Sequence, residues 1–298
     1  MCYRHPDRPT ALSCTRCGRP ACPECLRPAA VGAHCVDCLR TEGSHQQVRT
    51  PHFSDQGVRP VVGAPLTVRR PIATYSLIGI NVAVFLWTVL AAGSFDVQIS
   101  TPILYGEIVR GNVVLGEYYR LFTAGFLHYS VLHLAVNMIS LYILGRDLEV
   151  ALGIGRYLMV YVISLFGGSA AVMLAQANEG RSAGASGAIF GLMGAMLIVV
   201  LRLRVSPAPV ITIIVINLVM SFTISGISLP AHVGGLLFGA AATAAVIYGP
   251  RLLPAAQRTQ RNANIVGWSG LGVLLLVAIA ISVLVAVTYT GQILVYVR

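Results

Sequence analysis

Residues 184–203 read GASGAIFGLMGAMLIVVLRL, an apolar run that opens on a single hydroxyl, Ser186, set between glycines. As a helix rising 1.5 Å per residue, a run of this length spans about 30 Å, the thickness of a bilayer's hydrocarbon core. Comparable runs lie near 72–92, 121–144, 157–177, 208–225, 230–248 and 267–290, which with 186–203 makes seven candidate membrane helices. Hydrophobic residues make up 56% of the 298-residue chain and charged residues 11%. That balance excludes an ordinary soluble domain and points to an α-helical membrane protein.

Polarity is gathered at the amino-terminal end, where ten of the 21 arginines and all seven cysteines fall within the first 70 residues. This stretch has no apolar segment followed by a small-residue cleavage site, so it does not read as a signal peptide, and the amino terminus is expected to stay in the cytoplasm. With that start, cytoplasmic flanks carry Arg69, Arg70, Arg146, Arg156, Arg202, Arg204, Arg251, Arg258 and Arg261, against Arg110, Arg120, Arg181 and Arg298 outside. The bias favours amino terminus in and carboxyl terminus out. The net charge of +10 has the same origin, and no nucleic-acid partner is expected. Residues 44–70, rich in Gln, Pro, Arg and Gly, read as a linker. The stretch 95–118 reads as an outer loop apolar enough, through Ile103, Leu104, Tyr105, Val113, Val114 and Leu115, to lie in the membrane interface.

Four pairs share a two-residue gap: Cys2 with His5, Cys14 with Cys17, Cys22 with Cys25, and Cys35 with Cys38. Eight such ligands suffice for two tetrahedral zinc ions, and so short a segment needs a staple in place of a core. A reducing compartment disfavours the alternative, disulfides. Spacing does not fix which pairs share a metal. The pattern over residues 2–38 resembles B-box-type zinc fingers, whose cross-bracing implies Cys2, His5, Cys22 and Cys25 at one ion and Cys14, Cys17, Cys35 and Cys38 at the other. His34, beside the last pair, could replace one of these. With every metal position filled by protein, the implied role is structural or partner-binding, and a protein partner is the candidate.

Inside the spans, polar residues are costly and call for a reason. The second run contains His128, His133 and Asn137; the fourth opens on Gly184-Ala185-Ser186-Gly187; the sixth opens on Pro230-Ala231-His232. His133 and Asn137, four apart, share a helix face, whereas His128 points about 140° from His133, so its joining the same site requires a stretch that is not regular helix. Spans two, four and six all descend from the outer face, which places Ser186, His232, His133 and Asn137 at one shallow depth. Taken singly, each has a plain reading: Gly187/Gly191 and Gly235/Gly239 as packing spacings, Asn137 as interhelical glue, Ser186 and His232 as bonded polar groups. Together they suit acyl chemistry. A serine at a helix's first turn has free backbone N–H groups beside it for an oxyanion, and a histidine there is kept neutral and basic by the helix dipole. No carboxylate lies within a span near His232, which leaves a dyad.

At these residues, GxSG at 184–187, AHxxGxxxG at 231–239 and HxxxxHxxxN at 128–137, the chain resembles rhomboid intramembrane serine proteases over about residues 71–248. The resemblance implies a seven-helix bundle of the six-plus-one form. It implies Ser186 as nucleophile, His232 as general base, and an oxyanion hole from His133, Asn137 and the Ser186 N–H. Gly184 and His128 would support the site. Phe190 matches a ring that packs on the catalytic imidazole, often tyrosine in the family, and Tyr119-Arg120 stands where Trp-Arg is usual. The expected organisation is a zinc-binding domain at 1–43, which lies outside this resemblance, the linker, the six-helix core at 71–248, a cytoplasmic loop at 249–266 and the seventh helix within 267–298. The implied substrates are single-span membrane proteins, and the implied location is the plasma membrane. A catalytically silent helix binder and a transporter using His128, His133 and Asn137 as a polar path are the competing classes.

Overall fold

A computed structural model describes residues 1–15, 17–28, 33–38, 70–175 and 180–296, with side chains to residue 289. The expected linker at 44–70 lies outside these apart from Arg70, as do Arg69, Glu179 and Arg298. The chain divides into two units, Met1–Pro65 and Leu66–Arg298.

In the first unit, a 3-10 turn at Pro23–Cys25 leads into strand β1 (Leu26–Pro28), which pairs antiparallel with β2 (Ala33–Cys35) through Leu26 opposite Cys35 and Arg27 opposite His34. Its buried cluster is Cys2, Cys14, Ala21, Cys22, Cys25 and Cys35, with Tyr3, Leu26 and Cys38 against it. Among the described residues, the interior of this unit is therefore mostly cysteine, with little other apolar side chain to hold it together.

The second unit is a helical bundle. Helix α1 (Ile72–Ala92) is followed by short helices α2 (Thr101–Gly106), α3 (Arg110–Val114) and α4 (Arg120–Thr123). Then come α5 (Val131–Leu152), α6 (Ile154–Ala175), α7 (Ser186–Leu203), α8 (Ala208–Thr223), α9 (Leu229–Tyr248) and α10 (Gln260–Tyr296). Among the described residues six helices, α1, α5, α6, α7, α9 and α10, are long and apolar enough to cross a membrane. All seven expected helices are present, and the fifth, α8, is the shortest at 16 residues, against the roughly 20 that a perpendicular crossing takes.

The second span also differs from the expected 121–144. Residues 120–126 form α4 and a 3-10 turn at Ala124–Phe126, and α5 starts only at Val131. The reason is local: Ser130, extended at φ −160°, caps the helix by accepting from the His133 N–H, which satisfies an orphan first-turn donor. The helix then runs on to Leu152, eight residues past the expected end. His128 accordingly lies on non-helical chain ahead of the helix that carries His133 and Asn137.

The stretch 95–118, expected to lie outside, is packed into the protein. Strand β3 (Ile108–Val109) pairs antiparallel with β4 (Arg181–Ser182), and Ile103, Ile108, Val113 and Val114 are buried while Tyr105 and Leu115 are exposed. Ile108, Val113 and Val114 belong to a cluster with Val172 and Met173 of α6 and Ala286 of α10. Arg120, fully buried, donates to the carbonyls of Leu104 at 2.8 Å and Glu107 at 2.9 Å and pairs with Glu117.

At the opposite end, buried Glu149 of α5 accepts from the backbone N–H groups of Ala73 (3.0 Å) and Thr74 (2.8 Å) and from the Thr74 hydroxyl (2.8 Å). Pro71 offers α1 no side-chain cap, so the carboxylate of a neighbouring helix satisfies its first-turn donors and meets the positive end of its dipole. This holds α1 to α5 by polar bonds.

The core of the bundle is α6, α7 and α9. Glycines let α7 and α9 touch backbone to backbone: a Cβ at Gly235 would overlap the Gly187 carbonyl, and one at Gly239 the Gly191 carbonyl. Gly239→Val is therefore expected to destabilise the bundle by about 1–3 kcal/mol, read as a lower inactivation temperature in detergent. Gly79→Ala on α1, where an added Cβ meets nothing within 4 Å, serves as the control and should leave that temperature unchanged.

Candidate active site

The α7–α9 contact sets the site. Ser186 is the first residue of α7 and His232 lies in the first turn of α9, so glycine-mediated approach of the two helices brings these turns together. The Ser186 Oγ is 2.7 Å from His232 Nε2. Phe190, one turn along α7 from Ser186, stacks on the His232 ring with centroids 4.0 Å apart and planes 12° from parallel. The stacking needs only the ring, so Phe190 fixes the plane of the imidazole without a hydroxyl.

The other nitrogen of that imidazole, Nδ1, is 2.6 Å from the hydroxyl of Ser221 on α8. Sequence reading passed over Ser221. The signal was a pair of polar residues four apart, Asn217 and Ser221, in a mostly apolar run that also holds Thr212, Thr223 and Ser225.

His133 comes to the site from α5. Its Nδ1 accepts from the Tyr129 N–H at 3.4 Å, which assigns the proton to Nε2. Gly184, at φ +135°, is what lets this nitrogen in: a Cβ there would sit 2.9 Å from His133 Nε2 and 3.5 Å from Ser186 Oγ. The Gly184 N–H is anchored to the Ala124 carbonyl at 2.9 Å. Asn137, buried, gives one amide hydrogen to the His133 carbonyl at 2.8 Å and keeps the second. His128 packs edge-on against His133 with ring centroids 5.0 Å apart, is fully buried, and has no hydrogen-bond partner for either ring nitrogen among the described residues.

A polar strut backs this arrangement from the 95–118 loop. Glu107 accepts from Arg181 Nε at 2.6 Å and from the Tyr129 hydroxyl at 2.8 Å. The hydrogen bond to Glu107 raises the pKa of the Arg181 guanidinium above its ordinary value. Tyr129 in turn stacks on His133 at 6.0 Å, so the loop is tied to both the residue that sets the His133 tautomer and the strand leading to Gly184.

In the amino-terminal unit, Cys2, His5, Cys22 and Cys25 form one group and Cys14, Cys17, Cys35 and Cys38 a second, the ligand atoms of each lying within 4.8 Å of one another. Each group could hold a metal ion. His34 belongs to neither. None of the seven cysteines is in a disulfide bond, and the Cys17–Cys35 sulfurs stand 3.8 Å apart, far beyond the roughly 2 Å of a disulfide.

Crossing helices with a serine–histidine pair held between two of them define a multi-pass helical membrane protein with a polar site in its core. The rhomboid domain family matches residues 115–249. The chain is 36% identical over 197 residues to the rhomboid protease GluP of Bacillus subtilis, covering 62% of this chain and 38% of GluP. It is 33% identical over 153 residues to YdcA of the same organism, covering 49% of this chain and 77% of YdcA. To the rhomboid protease AarA of Providencia stuartii it is 28% identical over 209 residues, 60% of this chain and 74% of AarA. The chain belongs to the rhomboid family. It spans well under half the length of GluP.

Proposed function

We propose that this chain is an intramembrane serine endopeptidase in which Ser186 attacks a peptide carbonyl and His232 acts as general base. The observation that carries this reading is the 2.7 Å contact between Ser186 Oγ and His232 Nε2 inside a helical bundle. A neutral imidazole accepts the hydroxyl proton at Nε2 as Oγ bonds to the carbonyl carbon, then returns it to the leaving amine; water repeats the sequence to release the acyl group. No carboxylate is needed to hold the ring, because Phe190 stacking sets its plane.

The negative charge on the tetrahedral intermediate needs donors. The Nε2–H of His133 beside Gly184, the second amide hydrogen of Asn137, and the Ser186 N–H at the free start of α7 are the groups for it. His128 and Tyr129 hold His133 from the other side. The catalytic unit is the 71–248 core followed by the seventh helix. The substrates are single-span membrane proteins, the lipid bilayer is the medium, and the protein sits in the plasma membrane with its amino terminus cytoplasmic.

Zinc fits both amino-terminal ligand sets. A tetrahedral ion with sulfur at about 2.3 Å and nitrogen at about 2.05 Å sets its ligand atoms roughly 3.5–3.8 Å apart. Cys14–Cys38 and Cys17–Cys35 lie 3.9 and 3.8 Å apart, and His5 Nδ1 lies 3.4, 3.4 and 3.8 Å from Cys22, Cys25 and Cys2. Zinc there is structural, and the B-box-like unit that it folds is a docking module for a protein partner.

A serine-reactive fluorophosphonate tests the enzymatic reading. It is expected to label the detergent-solubilised protein at Ser186 and to fail on Ser186→Ala. A parent protein that is not labelled, and does not cleave a single-span substrate, would instead be a silent helix binder.

A further inference from the structure

The surroundings of His232 contain a third group that a dyad does not call for. Ser221 Oγ lies 2.6 Å from His232 Nδ1 and also 2.6 Å from the carbonyl of Asn217 one turn back on α8, and its residue is buried. A hydroxyl has one hydrogen and two lone pairs, while a backbone carbonyl can only accept. The Ser221 hydrogen therefore goes to Asn217, a common bond for a helical serine. That leaves Oγ as an acceptor facing His232, so Nδ1 must carry the ring proton.

Resting on the dyad reading above, we propose that Ser221 is the positioning residue of the site: its committed hydroxyl fixes His232 as the Nδ1–H tautomer and leaves Nε2 free for the Ser186 proton. The opposite tautomer would point Nε2–H at Ser186 and make the serine oxygen an acceptor that cannot give up its proton to the ring. When Nε2 takes the proton, the ring becomes a cation donating from Nδ1 to Ser221, and a hydrogen bond of that kind strengthens with charge. A neutral oxygen thus does the orienting that a carboxylate does in a triad, without placing a second ionised group in the membrane. The side chains in contact with the ring are Ser186 and Phe190 from α7 and Ser221 from α8. Ser221 and Ile214 are the buried residues of α8, so this contact is also where an otherwise peripheral helix registers on the site.

The test uses the full chain in detergent, with Ser221→Thr and Ser221→Val as a pair of equal shape that differ in the hydroxyl, and Ser221→Ala beside them. Measured are kcat and KM on a single-span substrate, the rate of fluorophosphonate labelling at Ser186, and the inactivation temperature. Ser221→Val and Ser221→Ala are expected to lower kcat and labelling rate about 10- to 100-fold, part of what a general base is worth, with KM held. Ser221→Thr, whose hydroxyl can make the same bond to the carbonyl one turn back, should restore both. Labelling and kcat at the parent's rate in Ser221→Val, or a loss confined to KM, or Ser221→Thr as slow as Ser221→Val, overturns the role of Ser221 while leaving the dyad in place. A parent that is itself unlabelled, and a Ser186→Ala protein that cleaves as the parent does, overturns both.

Discussion

Ser186→Ala is expected to abolish cleavage of single-span membrane substrates, with kcat falling by at least about 10⁴-fold, while the protein stays folded. The change removes one oxygen from the start of α7, where Ala185 and Gly187 on either side are already small and buried, so no cavity of consequence forms. What disappears is the atom 2.7 Å from His232 Nε2. His232→Ala should give a loss of the same order, and the double variant should be little worse than either, because a nucleophile and its base act as one unit and their losses do not add. An electrophoretic assay of substrate cleavage, with inactivation temperature as the folding control, checks all three. Residual cleavage within tenfold of the parent in Ser186→Ala would remove Ser186 from the mechanism.

Removing metal from the amino-terminal unit is expected to have the second large effect. Its buried cluster is Cys2, Cys14, Ala21, Cys22, Cys25 and Cys35, so the prospective ligands are nearly all the core among the described residues. Structural zinc in small domains of this kind contributes about 10–16 kcal/mol of apparent binding energy, and nothing in so small an apolar interior offsets its loss. A strong chelator should release two zinc ions per chain and turn all seven cysteines from slow to fast reaction with an alkylating reagent. Readdition of zinc should reverse it. Seven thiols that alkylate equally fast before and after chelation would show that the unit holds no metal.

Helix existence was legible in the sequence, since about 20 apolar residues in a row have few other solutions. Helix edges were not always so. The second run looked continuous from 121 because Leu121, Phe122, Ala124, Phe126 and Leu127 are as apolar as residues 131–144. The break comes from the Ser130 cap and from a short turn seated on α6, where the Ser169 hydroxyl donates to the Leu121 carbonyl at 2.8 Å. Hydropathy registers neither. That break is also what allows His128 to reach His133, an approach that regular helix would forbid.

By itself the sequence determined the number of apolar runs, the eight candidate Cys and His ligands, and the short list of polar residues whose presence in the membrane required an explanation. These depend on composition and on spacing along one element, which local chemistry controls. Only the tertiary structure decided which nitrogen of His232 meets Ser186, that Ser221 holds the other, that Tyr129 sets the tautomer of His133, and that Glu149 caps α1. Each of these depends on how one helix is rotated and seated against another. That seating is set by side-chain volume across the whole interface, above all by the glycines of α7 and α9, and a hydroxyl in an apolar run carries no mark of the partner it will face.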